Sequence, residues 1–133
     1  MYVVIIGCGR AGSSLANLLS QQGSDVVVID KEPEALQELA PEYSGFKVKG
    51  DATEIEVLKE AKLDKADVVV ITTDNDNVNA MIAQIAKNLY AIPQVLVRVI
   101  DPAKEIIYND LDVYSISTTN LLVDKFSRQI KNN

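Results

Sequence analysis

Two periodicities alternate along the chain. Tyr2 to Ile6 is a β-branched apolar run with no polar break, as expected of a strand buried on both faces. Ala11, Leu15, Leu18 and Leu19 then return at helical spacing, and Gly23 marks the stop. Asp25 to Asp30 reads as a second strand. Pro33 opens a short helix with Leu36 and Leu39 inward. Phe46 to Val48 is a third, shorter strand. Thr53-Glu54-Ile55-Glu56 fits a capping box, which predicts a helix from Thr53 carrying Ile55, Leu58 and Ala61. Asp67 to Thr73 is a fourth strand, and Asn77 to Tyr90 a helix with Ala80, Ile82, Ala83 and Ala86 on one side. Gln94 to Ile100 is a fifth strand. Asp101-Pro102 reads as an N-cap and first helical residue, opening a helix to about Asn109. Val113 to Ile116 is a sixth strand, and from Thr118 the pattern is helical again.

Six strands alternating with six helices predict a doubly wound α/β fold, a parallel six-stranded sheet with helices on both faces. Residues 1–117 make up that domain. Residues 118–133 form a terminal helix with Leu122, Phe126 and Ile130 in one stripe. The pattern allows two placements for it: back on its own sheet, or against a partner chain.

Composition narrows the function. The 133 residues suit one domain, and 47% hydrophobic with 24% charged residues is ordinary for a globular protein. A net charge of -6 argues against nucleic acid, whose phosphates call for Lys and Arg. No apolar run is long enough for a membrane span. The first residues are already a core strand, so no signal peptide is expected before the fold. The lone cysteine, Cys8, suits a reducing compartment and is expected to be a small packing residue rather than a reactive thiol.

The chemistry gathers at the strand ends. Gly7-x-Gly9-x-x-Gly12 follows a strand and opens a helix. In that setting Gly7 permits the tight turn, Gly9 lets a pyrophosphate approach the backbone, and Gly12 lets helix and strand pack closely. The helix N-terminus adds free N–H groups and a positive dipole. Asp30, at the end of the second strand, stands where a carboxylate would take the ribose hydroxyls; the plainer role is a cap for the next helix. A carboxylate there repels a 2′-phosphate, which disfavours NADP. It does not separate NAD from ATP, ADP or AMP. Gly50-Asp51-Ala52-Thr53 and Thr72-Thr73-Asp74-Asn75-Asp76-Asn77 follow the third and fourth strands, at the same end of the sheet. Asp51 could accept from an adenine amino group, and the second loop could reach ribose or phosphate. Both loops are also what helix starts look like.

"IIGCGRAGSSLANLL", "VVVIDKEP", "KGDATEIEVLKEA" and "ADVVVITTDNDNVN" together resemble the N-terminal nucleotide-binding domain of Trk/Ktr potassium-uptake regulators, the RCK or KTN domain, and "VLVRVIDPAKEIIYNDLDVYSIS" extends the resemblance over nearly the whole chain. The resemblance implies a Rossmann-like fold that dimerises, assembles into rings beneath a membrane potassium channel on the cytoplasmic side, and answers to ATP, ADP or NAD(H). It implies a phosphate loop of Gly7, Gly9, Arg10, Ala11 and Gly12, and a ribose acid Asp30 flanked by Lys31. It further implies an adenine end of Asp51, Ala52 and Thr53. Thr72, Thr73, Asp74 and Asn77 would line the ribose and phosphate side. Arg98 falls at a basic position near the nucleotide or a neighbouring subunit; its plainer role is a surface or ion-paired arginine. The terminal helix corresponds to the family's crossover helix between two subunits. Regulators of this kind continue into a second, smaller lobe, whereas this sequence stops at Asn133.

Two other classes compete. An NAD-dependent oxidoreductase needs a proton donor or acceptor beside the nicotinamide and room for substrate. The chain has no histidine, no catalytic motif around its tyrosines, and no Gly-x-x-x-x-Gly-Lys loop. A soluble NAD(H)-binding redox sensor fits the same fingerprint. The expectation is a regulatory, non-catalytic domain that binds an adenine nucleotide and needs no metal.

Overall fold

The computed structural model describes residues 1–130. Six parallel strands form one sheet in the order β3-β2-β1-β4-β5-β6. They are β1 (Tyr2–Ile6), β2 (Asp25–Asp30), β3 (Phe46–Lys49), β4 (Val68–Ile71), β5 (Gln94–Val99) and β6 (Tyr114–Ser117). The order reverses at β1, whose two sides pair with β2 and β4. The chain therefore leaves the C-terminal ends of β1 and β4 in opposite directions, and the gap between them is where such folds bind ligands.

The helices are α1 (Arg10–Gln21), α2 (Pro33–Leu36), α3 (Ile55–Glu60), α4 (Asp76–Gln84) and α5 (Thr118–Gln129). Two 3₁₀ segments, Leu63–Lys65 and Pro102–Tyr108, complete the connections, and α4 runs on into a π turn at Ile85–Leu89. Alternation along each strand divides the core between the two faces. Val4, Ile6, Val27, Ile29, Val69, Ile71, Val95 and Val97 pack with residues of α3 and α4. Val3, Ile5, Val26, Val28 and Val68 pack with residues of α1 and α2. Strands β1, β2 and β4, at the centre of the sheet, read as nearly unbroken apolar runs because they are buried on both faces.

Local chemistry differs from the sequence reading in four places. The capping box does not form. The Thr53 hydroxyl donates to Asp51 Oδ1 at 2.7 Å instead of capping a helix, and α3 starts later, behind Glu54, with no side-chain cap. The helix after β4 is capped by Asn75, whose Oδ1 accepts from the N–H groups of Asn77 and Val78. Helical structure after Pro33 ends at Leu36. Asp101 does cap the next helix, accepting from Ala103 N–H, but that helix is 3₁₀.

The terminal helix does not pack back on its own sheet. None of its residues is buried, and Phe126 and Ile130 are 61% and 66% exposed.

Gly12 fixes how closely α1 meets the sheet. A Cβ there would stand 2.0 Å from the Gly7 carbonyl oxygen. Gly7 itself has φ +101°, which L side chains rarely adopt, and a Cβ on it would stand 2.6 Å from the Thr72 carbonyl oxygen. Gly12→Ala is expected to lower stability by about 1–3 kcal/mol, the range for overpacking a tight contact. Urea unfolding measures it, and an unchanged midpoint would contradict the contact.

Candidate functional site

The first turn of α1 carries the anion-binding potential. Gly9 precedes it without a capping side chain, and no acidic residue occupies that turn. The orphan N–H groups are thus open to an external acceptor, with the helix dipole behind them. A Cβ on Gly9 would meet no atom within 4 Å, so the space above this glycine is open, unlike that at Gly7 and Gly12.

Asp30 ties the end of β2 to this turn. Its Oδ2 accepts from Cys8 N–H at 2.8 Å and its Oδ1 from Glu32 N–H at 2.9 Å. It does not cap α2, whose N-cap is Glu32 with no side-chain cap bond; it braces the glycine turn and the turn leading into α2. A carboxylate offers about four lone-pair sites, so both oxygens keep capacity for ribose hydroxyls. Cys8 is fully buried, and burial, with the Asp30 charge adding to it, pushes its thiol up to about 11. It stays protonated at neutral pH and packs, as a thiolate nucleophile could not.

These elements open onto a cleft of about 720 Å³. It is lined by Gly7, Gly9, Asp30, Lys31, Asp51, Ala52, Thr53, Thr72, Thr73, Asp74 and Arg98 among the residues the sequence singled out. Gly12 lies behind the cleft, against Gly7. Arg10 and Ala11 do not line it. They border a second cavity of about 530 Å³, mainly apolar, with Leu15, Val70, Leu96 and Ile116; the two cavities share Thr72 and Arg98. Asn77 turns away, its Oδ1 accepting from Lys104 Nζ at 3.2 Å. Apolar liners Ile6, Ile29, Ala35, Val78 and Ile82 were not foreseen as site residues, because from sequence they are indistinguishable from core.

The cleft has an acidic and a basic end. Asp51 is held by Thr53 through hydroxyl and N–H, both donating to Oδ1. Those bonds, the hydroxyl first, hold the Asp51 carboxyl below the usual carboxylate range, with help from the Lys31 charge against a smaller opposing push from burial. On the other side, alternation along β5 puts Arg98 on the face that carries α1, where it reaches the strand end. Its Nε is buried and has no hydrogen-bond partner among the described residues. An ion-paired surface arginine does not look like this. A buried donor without a partner is costly, and an anionic ligand oxygen would satisfy it.

Asn79 was missed altogether. It is fully buried and binds the Thr73 loop and the Arg98 carbonyl. Its position inside a helix gave no sequence signal beyond the polar residue itself. Among the described residues, no cluster of His, Cys, Asp and Glu could hold a metal ion.

The lowered carboxyl at Asp51 makes a testable statement. Its contribution to stability is present above the unfolded carboxylate range and is lost as pH falls through the depressed folded value. Thr53→Val removes the larger of the two bonds. NMR titration should then show the Asp51 carboxyl moving up toward an ordinary aspartate; an unmoved titration would assign the depression to another cause.

Comparison with known proteins identifies the family and the fold. The TrkA-N domain matches residues 3–119. The Trk system potassium uptake protein TrkA of Streptomyces coelicolor is 32% identical over 130 residues, covering 98% of this chain and 58% of that protein. The chain thus spans about half the length of the curated relatives it matches. The TrkA-N domain of the inner membrane protein ybaL from Escherichia coli superposes with a TM-score of 0.87 at 19% identity, over 98% of this chain and 96% of that one. The Kef CTD of Shewanella denitrificans, solved in an AMP-bound form, gives 0.78 at 25% identity, over 99% and 84%. GsuK, solved with ADP and with NAD, gives 0.78 at 22% identity over 96% of this chain, and 33% and 22% of those chains. The matched span carries the glycine turn, Asp30 and both strand-end loops, and the chain belongs to the TrkA-N domain family.

Proposed function

We propose that this chain is the nucleotide-sensing part of a Trk/Ktr-type potassium uptake system, a cytoplasmic domain that binds an adenine nucleotide and passes its state to a membrane channel subunit. The observation that carries the reading is the single cleft joining an uncapped helix N-terminus, Asp30, Asp51 and Arg98, whose buried Nε has no hydrogen-bond partner among the described residues. Phosphates take the helix end and Arg98, ribose takes Asp30, and adenine takes the Asp51 end over the apolar floor of Ile6, Ile29 and Ile82. The TrkA relative and the AMP-bound Kef domain support it, and GsuK, which shares the fold, is solved with ADP and with NAD. NADP is disfavoured, because Asp30 would face its 2′-phosphate.

The site binds and does not catalyse in this reading. Nothing lining the cleft is a poised proton donor. Its tyrosines lie elsewhere, and Tyr43 is spent on the carbonyls of Val26 and Phe46. Regulation then depends on one requirement: two nucleotides must differ in affinity for two states of the assembly. Arg10 beside the second cavity is placed to act there when a γ-phosphate extends past the glycine turn.

Calorimetry with ATP, ADP, AMP, NAD, NADH and NADP tests the binding. Asp30→Ala should weaken the favoured ligand by about 1–3 kcal/mol, as for hydrogen bonds to a charged acceptor. Equal affinity in both proteins would sink the ribose role. In vesicles holding the channel subunit and the full regulator, potassium flux should differ between nucleotides, and Asp30→Ala should flatten the difference. Flux indifferent to every nucleotide would favour a soluble NAD(H)-binding sensor.

The exposed stripe on α5 supports an oligomer. Leu122, Phe126 and Ile130 are left in water, and each is worth about 1.5–3 kcal/mol when fully buried. We place them against a second copy. The chain cut after Ser117 should sediment as a smaller species than the intact chain; an unchanged dimer would locate the contact elsewhere.

A further inference from the structure

The nucleotide reading is the basis of this inference, which concerns how the phosphate end of the site is held. Asn79 sits on α4 with its side chain fully buried. Its Oδ1 accepts from the Thr73 N–H at 3.2 Å and from the Thr73 hydroxyl. Its Nδ2 donates to the Thr73 carbonyl at 3.2 Å and to the Arg98 carbonyl at 3.2 Å. A carboxamide has two donor hydrogens and one acceptor oxygen, so Asn79 spends all its polar capacity on these two residues.

Both residues line the cleft. Thr73 lies on the loop after β4, and Arg98 lies near the end of β5. Strands β4 and β5 pair only as far as Ile71 with Val97, so the ladder does not reach either residue. Asn79 continues the connection beyond it. Asp76 adds a parallel tie, its carboxylate accepting from Ile100 N–H at 2.7 Å and Asp101 N–H at 2.8 Å. The adenosine side is built differently. Asp30 and Asp51 stand at the ends of β2 and β3, across β1, and touch neither Asn79 nor its partners.

We propose that Asn79 is a positioning residue that holds Thr73 and Arg98 as one anion-receiving unit. It makes no contact with the ligand itself. Through it the site distinguishes phosphate-bearing nucleotides from the bare nucleoside, because a guanidinium binds phosphate oxygens well only when its plane and backbone are fixed.

The test compares ADP with adenosine, by calorimetry and ligand-observed NMR, on the wild type, Asn79→Ala, Arg98→Ala and the double variant. Asn79→Ala should lower ADP affinity about ten-fold, the scale of a lost hydrogen bond to a fixed group, and leave adenosine unchanged. In the Arg98→Ala background the loss should shrink, since the part acting through the guanidinium is already gone and only the part through Thr73 remains. Equal losses for ADP and adenosine, or a loss undiminished by Arg98→Ala, overturn the positioning role. The wild type offers a second measurement that needs no substitution. Linkage is reciprocal, so a phosphate that gains from the clamp must stabilise it by the same factor. ADP should therefore slow exchange of the Asn79 side-chain amide protons and adenosine should not; equal slowing overturns the role even if Asn79→Ala does not fold. A wild type that binds neither ligand looks different, and overturns the nucleotide reading along with this one.

Discussion

The contact between Gly12 and the Gly7 carbonyl sets the rest of the site. No methyl group fits between them. Only with that gap closed does α1 start directly over the end of β1 and aim its first turn into the space between β1 and β4. The same closeness brings Cys8 N–H within reach of Asp30, so the glycine turn is fastened to the neighbouring strand by a charged acceptor. The open space above Gly9 is what remains once Gly7 and Gly12 have been packed shut.

Charge is distributed along the cleft in a way that matches a nucleotide's own asymmetry. Asp30 and Asp51 accept hydrogen bonds and repel phosphate, whereas the α1 terminus and Arg98 attract it. The acidic half lies at the β2 and β3 ends and the basic half at the β1, β4 and β5 ends, so the strand order alone separates them. A chain of net charge -6 can hold an anionic ligand because the field that matters is local.

The fold also leaves surface unused. The face of β4, β5 and β6 beside α1 is a mainly apolar cavity rather than a helix-covered one, and α5 stands away from it with its stripe exposed. Thr72 and Arg98 border this cavity and the larger cleft together. Whatever covers the apolar face therefore touches residues that also line the cleft, a physical route between an interface and a ligand.

By itself the sequence determined the architecture. Buried central strands must be largely apolar, helices must repeat at 3.6, and a glycine turn at that junction admits few alternatives, so the six strands, their alternation with helices and the glycine turn were all legible. Tertiary structure decided what local rules left degenerate. Thr53 had the spacing of a capping residue, but its N–H and hydroxyl both donate to Asp51 in a turn two positions back, and α3 begins behind Glu54 instead. Asn79 looked like any polar residue in a helix until β5 arrived beside it with a free carbonyl on Arg98. Asn77 carried the same side chain two residues earlier and met Lys104 instead. Arg98 could be read as a surface arginine until the sheet buried its Nε. Backbone periodicity is set by neighbours in sequence, whereas the partner of a polar side chain is set by which distant segment folding places within about 3 Å of it.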